Sequence, residues 1–219
     1  CEKYMQKGVE DNNVLNKGVC IAMDVNTGAI LAMVTTDGYD LNNPYELSAK
    51  DKKKIKSTAK SKQAEAESAA LSNMWRNKAV ADTYMPGSVF KMCVASAALE
   101  ENLVNEKTSF TCTGSILVEG ETIHCSNISG HGTQSFVEAI SNSCNPAFVQ
   151  IGQMLGASKF RQYYQGFGFS DKTGIDLPGE AEDSFWKEGK MGGVDLAVAS
   201  FGQNFSITPI QMITACAAV

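Results

Sequence analysis

Two apolar runs, residues 18–24 and 29–35 of "GVCIAMDVNTGAILAMVTT", stand on either side of Asn26-Thr27-Gly28. The pattern predicts two strands joined by a tight turn, the best hairpin in the chain. From Gly87 the pattern changes. Val89, Phe90, Met92, Cys93, Val94, Ala95, Ala97, Ala98 and Leu99 leave no polar face, so the helix they predict, ending near Glu101-Asn102, belongs at the centre of a fold. A short hairpin is expected at Ile116–Val118 and Thr122–His124 around Glu119-Gly120. Helices are expected at 135–141, where Ser135 and Glu138 have capping-box spacing, at 146–155 and at 158–165. Thr208-Pro209 opens a last helix, with proline in the first turn. Local strand pairs with clustered helices predict an α+β fold.

Two stretches carry no core stripe. Residues 1–17 mix polar and apolar positions as a short surface helix does. Residues 46–67 hold Lys50, Lys52, Lys53, Lys54, Lys56, Lys60 and Lys62, then Glu65 and Glu67, and read as a solvated helix or mobile insertion rather than a binding site.

Composition narrows the partners. With 219 residues, 43% of them hydrophobic, the chain can bury a substantial core. A net charge of −5 gives no basic footprint, so no nucleic-acid partner is expected. No apolar run reaches the roughly 18–20 residues of a membrane helix, and "CEKYMQKGVEDNN" lacks a signal-peptide pattern. Either the protein is cytosolic, or a membrane anchor lies outside these residues. The last helix, "TPIQMITACAAV", ends without a stop signal, so the chain is expected to be C-terminally cut.

The candidate chemistry lies in "YMPGSVFK". Ser88 is a weak nucleophile until a base removes its proton. Lys91, three residues on, lies on the same helical face, in an apolar first turn where burial and the helix dipole both favour a neutral amine. Ser-x-x-Lys occurs three times, at Ser57, Ser88 and Ser184, but only Ser88 has a Pro-Gly turn before it and an apolar helix behind it. The bland reading of Ser88 is a helix N-cap with Lys91 snorkelling. A second cluster, "SNSCN", holds the only Ser-x-Asn in the chain, Ser143 and Asn145. At the entrance to a helix the pair offers a hydroxyl and an amide to one cavity, although Ser and Asn are also ordinary capping residues.

Taken together, "PGSVFK", "GHGTQ" and "SNSCN" resemble the transpeptidase domain of class B penicillin-binding proteins. The resemblance covers most of the chain: "MDVNTGAILAM" and "YDLNNPY" fall at the family's opening, "NKAVADTYMPGSVFK" at its nucleophile, "TGIDLPGE" and "SFGQNFSITPIQM" further on. It implies one partial transpeptidase domain over 1–219, with the lysine-rich insertion at about 46–67. The implied fold is that of the serine β-lactamases, an antiparallel sheet, incomplete here, packed with a helical subdomain.

By the same resemblance Ser88 attacks the carbonyl between the terminal D-alanines of a peptidoglycan stem peptide, and Lys91 is the base. Ser143 passes a proton to the departing D-alanine, and Asn145 holds the substrate's amide. The backbone N–H of Ser88 is one oxyanion donor. β-Lactams acylate the same serine, other wall-building proteins are possible partners, no cofactor is implied, and the expected location is the extracytoplasmic face of a bacterial membrane, anchored by an N-terminal helix upstream of Cys1. The family's Lys-Thr/Ser-Gly motif is missing after the "TPIQM" helix. Lys172-Thr173-Gly174 precedes that helix and reads as a decoy, so impaired activity is expected. The alternatives are a non-enzymatic penicillin sensor or scaffold and a serine β-lactamase. An α/β-hydrolase is disfavoured because no Gly-x-Ser-x-Gly occurs.

Seven cysteines are too irregular for a disulfide scaffold. Cys112, His124, Cys125 and His131 are close in sequence but lack the Cys-x-x-Cys pairs of structural zinc sites, so no metal is expected. A Cys112–Cys125 disulfide across the hairpin is the preferred reading, and Cys144 is taken as a packing residue.

Overall fold

A computed structural model describes residues 1–14, 18–36, 38–181 and 184–219. It opens with helix α1 (Glu2–Asp11), which buries no side chain, as its mixed pattern predicts. Strands β1 (Val19–Met23) and β2 (Ile30–Thr35) pair antiparallel, Val19 opposite Thr35, and Gly28 takes the positive φ of 72° that the connecting turn needs. Helices α2 (Ala49–Lys56) and α3 (Gln63–Trp75) occupy the lysine-rich stretch and the residues beyond it, and neither buries a residue. The polar pattern of 46–67 is thus an exposed pair of helices. The short α4 (Lys78–Ala81) is fully buried after its first residue and packs with Ile210 under the β1–β2 sheet.

A 3-10 turn over Gly87–Phe90 runs into α5 (Lys91–Glu100), the expected central helix. Its anchor is Phe90, whose ring lies 4.8–5.9 Å from those of Phe205, Phe169 and Phe160. Beyond α5 come β3 (Ser109–Cys112), β4 (Ser115–Val118), β5 (Glu121–His124) and β6 (Gly132–Ser135). β4 and β5 form the expected hairpin, while β3 pairs with β6 around it, Cys112 opposite Gly132. Helix α6 (Phe136–Ser141) starts in the capping box read from sequence: Glu138 N–H donates to Ser135 Oγ, and Ser135 N–H donates to Glu138 Oε2.

The two helices expected at 146–155 and 158–165 are a single run, α7 (Asn145–Gly166), broken at Gly156, where φ is 74° and ψ 157°. Helix α8 (Gly193–Ala199) packs on α7 so closely that a Cβ at Gly152 would overlap the Ser200 hydroxyl. Helix α9 (Pro209–Ala217) is capped by Thr208 and Gln211. Helices α5 to α9 gather around the main core, α4 packs in a smaller one, and among the described residues the strands form three two-stranded antiparallel sheets, which gives the α+β architecture. No helix among the described residues is long and apolar enough to cross a membrane.

Candidate active site

The Ser88 turn is held from behind. Tyr84 and Ile207 exchange both backbone hydrogen bonds (2.9 and 3.0 Å), and Gly87 N–H donates to Gly202 O at 2.9 Å. Contact there is so close that a Cβ on Gly202 would lie 2.0 Å from Gly87 O. Gly87 itself has φ 59°, the left-handed conformation that turns the chain into the helix. The clamp explains why "PGS" and "FGQNFSI", more than a hundred residues apart, form one unit.

Ser88 is exposed on this turn, with Met85 and Val89 exposed on either side. Its hydroxyl makes no hydrogen bond to any described residue, and no side-chain cap bond is made at the start of either the 3-10 turn or α5. The N-cap reading of Ser88 therefore fails. Its backbone N–H lies in the first turn, where a helix offers no acceptor.

Lys91 is different. Only 4% of it is exposed, and its ammonium sits 5.3 Å from the centre of the Phe148 ring. Nζ donates to Ser143 O (2.6 Å), Ser143 Oγ (3.0 Å) and Asn145 Oδ1 (2.8 Å), so all three ammonium protons are used. Burial draws its pKa down to about 8, and the thiols of Cys144 and Cys125 act in the opposite direction. The structure thus joins Lys91 to the Ser143–Asn145 cluster, while no hydrogen bond links it to Ser88.

Ser143 reaches this position at a cost. Its φ is 49°, a left-handed conformation that costs an L-residue about 1–2 kcal/mol. Cys144, fully buried, is the N-cap of α7, and Asn145 and Pro146 open that helix. Asn145 also donates Nδ2–H to His124 O at 3.2 Å, tying the loop to the end of β5.

The other Ser-x-x-Lys pairs are structural. Ser57 donates to Lys54 O at the end of α2, and Ser184 Oγ accepts from Ser206 N–H. In the Lys-Thr-Gly decoy, the Thr173 hydroxyl and N–H both bond Glu180 within a loop.

The cysteines depart from expectation. Cys112 and Cys125 are free thiols, and the group that comes together is Cys112, Cys125, His131 and Cys144, their ligand atoms all within 4.8 Å of one another. His124 is exposed and outside it. Cys144 was missed because no short spacing joins it to the others. Burial opposes ionisation of Cys112, but N–H groups of Gly114 and His131 and the side chains of His131 and Cys144 outweigh it and bring its pKa to about 7. Burial pushes Cys144 up to about 12.

The penicillin binding protein transpeptidase domain matches residues 18–219, and the chain belongs to that family. Stage V sporulation protein D of Bacillus subtilis (strain 168) is 44% identical over 144 residues, 65% of this chain and 22% of that protein. The peptidoglycan D,D-transpeptidase MrdA of Acinetobacter baumannii is 29% identical over 214 residues, 92% of this chain and 30% of that protein. The apo transpeptidase domain of Burkholderia pseudomallei penicillin-binding protein 3 superposes with a TM-score of 0.77 at 21% identity, over 99% of this chain and 53% of that one, a likeness of fold. The chain spans less than a third of the length of these two curated relatives.

Proposed function

We propose that the protein is a peptidoglycan D,D-transpeptidase in which Ser88 is the nucleophile. The observation that carries this reading is the contrast at the site: an exposed serine hydroxyl with no partner among the described residues, and three residues on a buried lysine that gathers Ser143 and Asn145. In the first step Ser88 Oγ attacks the carbonyl carbon between the two D-alanines and its proton passes to Lys91 Nζ. Lys91 must first give up its ammonium proton and turn from the Ser143–Asn145 acceptors. The C–N bond then breaks, and the departing D-alanine takes a proton through Ser143. In the second step an amine of a neighbouring stem peptide attacks the ester carbonyl, forms the cross-link and returns the proton to Ser88. The Ser88 N–H stabilises the oxyanion, and Asn145 orients the substrate's amide.

β-Lactams fit the same scheme, with a ring amide in place of the peptide. The domain reading, one transpeptidase domain with the lysine-rich helices as an insertion, and an extracytoplasmic location at the bacterial membrane belong to this proposal. So do wall-building proteins as partners.

Intact mass of the natural full-length protein after incubation with a penicillin tests it, with Ser88→Ala as control. A lasting adduct on Ser88, absent from the variant, is expected. Rapid release of hydrolysed drug would instead mark a β-lactamase. No adduct on folded protein would leave a site that binds without reacting.

A further inference from the structure

We propose, resting on the transpeptidase reading, that Gln134 is a positioning residue: its buried amide grips Asn142 and sits beside Cys144, the residues on either side of Ser143, and so aims that serine at Lys91. Gln134 belongs to β6, where it pairs with Phe110 across the sheet, and the next residue, Ser135, caps α6. Sheet on one side and helix cap on the other fix its backbone. Its side chain, 3% exposed, reaches the far end of α6, where Oε1 accepts a hydrogen bond from Asn142 Nδ2 at 3.0 Å. The other end of the amide lies by the buried Cys144 thiol, whose pKa burial raises and the Gln134 amide opposes.

The Gln134 Nε2 is the one buried side-chain nitrogen or oxygen among the described residues that makes no hydrogen bond. Thr36, Lys91, Ser200, Thr208 and Gln211, the other buried polar side chains, are all bonded. An unpaired buried donor lowers stability, and an apolar side chain of similar size carries no such penalty. Stability alone gives no reason for an amide here. Control of the corner between α6 and α7 does.

At that corner Ser143 turns with φ 49°. Its N–H bonds back to Ile140 O and that of Cys144 to Ala139 O, and Gln134 adds a tie from the corner to the β3–β6 sheet. Two of the three acceptors on the Lys91 ammonium, Ser143 O and Ser143 Oγ, depend on this orientation. Acceptors favour the charged amine, so a corner free to rotate lowers the Lys91 pKa below its present value of about 8. The thiols of Cys144 and Cys125, the titratable groups that act on Lys91, push its pKa up and stay in place throughout.

The test compares the natural full-length protein with Gln134→Leu, Asn142→Ala and the double variant. Two quantities are read: the rate of penicillin acylation per folded molecule, and the Lys91 titration, followed without drug as the pH dependence of trace acetylation of that lysine by peptide mass spectrometry. Each single variant is expected to slow acylation roughly 10- to 100-fold and to move the Lys91 midpoint below 8. The double variant is expected to be no slower than the slower single one, because both remove the same contact. The melting temperature of Gln134→Leu should change little, since leucine removes an unpaired donor together with a hydrogen bond. A merely structural glutamine would do the reverse, lowering the melting temperature while the Lys91 midpoint stays in place. An unmoved midpoint in both single variants overturns the proposal, as do independent, multiplying effects in the double variant. Should Gln134→Leu fail to fold, Asn142→Ala, altered at an exposed side chain, decides by the same readings. Absence of acylation in the unaltered protein would sink the transpeptidase reading instead, and the midpoint measured without drug would still decide the role of Gln134.

Discussion

Two serines are tied to Lys91, Ser88 by lying three residues before it in the chain and Ser143 by hydrogen bonds, and the structure treats them in opposite ways. Ser88 lies on an exposed turn, its hydroxyl bonded to no described residue, on a backbone clamped from behind by Gly202 and Ile207. Ser143 is half-buried, bonded through both its oxygens to Lys91, and held at a positive φ at the end of α6, where its N–H donates to Ile140 O and that of Cys144 to Ala139 O. In the proposed mechanism the group that reacts has no hydrogen-bond partner among the described residues and stands on a rigid support, while the group that relays a proton is bonded to Lys91 through both its oxygens. The division shows where substitutions should alter chemistry and where they should alter the frame.

Four measurements press on that division. Ser88→Ala should abolish acylation by a penicillin, a loss on the order of 10⁶-fold, while thermal unfolding moves by less than about 0.5 kcal/mol because the side chain is exposed and unpaired. A large stability loss in that variant would mean that the hydroxyl supports the turn. Gly202→Ala attacks the clamp instead. Its Cβ meets backbone at 2.0 Å where φ is 82°, so denaturant unfolding should show roughly 2–4 kcal/mol of destabilisation.

The third measurement is a pH profile. The Lys91 amine becomes neutral above about pH 8, so acylation should rise with pH up to that value, about tenfold per unit below it, and then level off. The same shift affects stability. Its folded pKa lies below the ordinary 10.5, so the unfolded chain binds more protons between the two values, and the contribution of Lys91 to stability should rise with pH from about 8 to 10.5. A flat acylation profile through pH 8 would remove Lys91 as the base. The smallest effect is expected from Ser135→Ala, which breaks the capping box of the helix leading to Ser143. It should cost about 1 kcal/mol on unfolding and leave the pH profile in place.

Much of this was legible in the residues. The β1–β2 hairpin followed from two apolar runs about Asn-Thr-Gly, the central α5 from its lack of a polar face, and the start of α6 from Ser135 and Glu138. These are local signals, and the structure keeps them. Strands β3 and β6 were not foreseen. Each has four residues, and their pairing, Ser109 with Ser135 and Cys112 with Gly132, joins residues twenty or more positions apart. Helix α8 was missed although Asp195 at its third position, bonding back to Gly192 N–H, carries a start signal. Its glycine cap offers no side chain to advertise it.

At the site, sequence named Ser88, Lys91, Ser143 and Asn145, but it expected Lys91 to engage Ser88. The structure turns the ammonium to Ser143 and Asn145, because three fixed acceptors around a buried charge outweigh one exposed hydroxyl. The thiol group was misread for the same reason that β3 and β6 were missed. Cys144 meets Cys112 only once those strands have paired, and the Cys112–Cys125 pairing considered only neighbours along the hairpin.

The chain's two tryptophans lie in unlike places. Trp75 ends the outlying helix pair, its indole N–H donating to Pro44 O and its ring edge-on to Tyr45 at 5.4 Å, with no buried neighbour in α2 or α3. Trp186 stacks edge-on against Phe185, at the margin of the aromatic group around Phe90. The protein therefore carries two natural fluorophores that report on separate regions: one signals detachment of the lysine-rich arm, the other loss of the packing that holds the serine's helix.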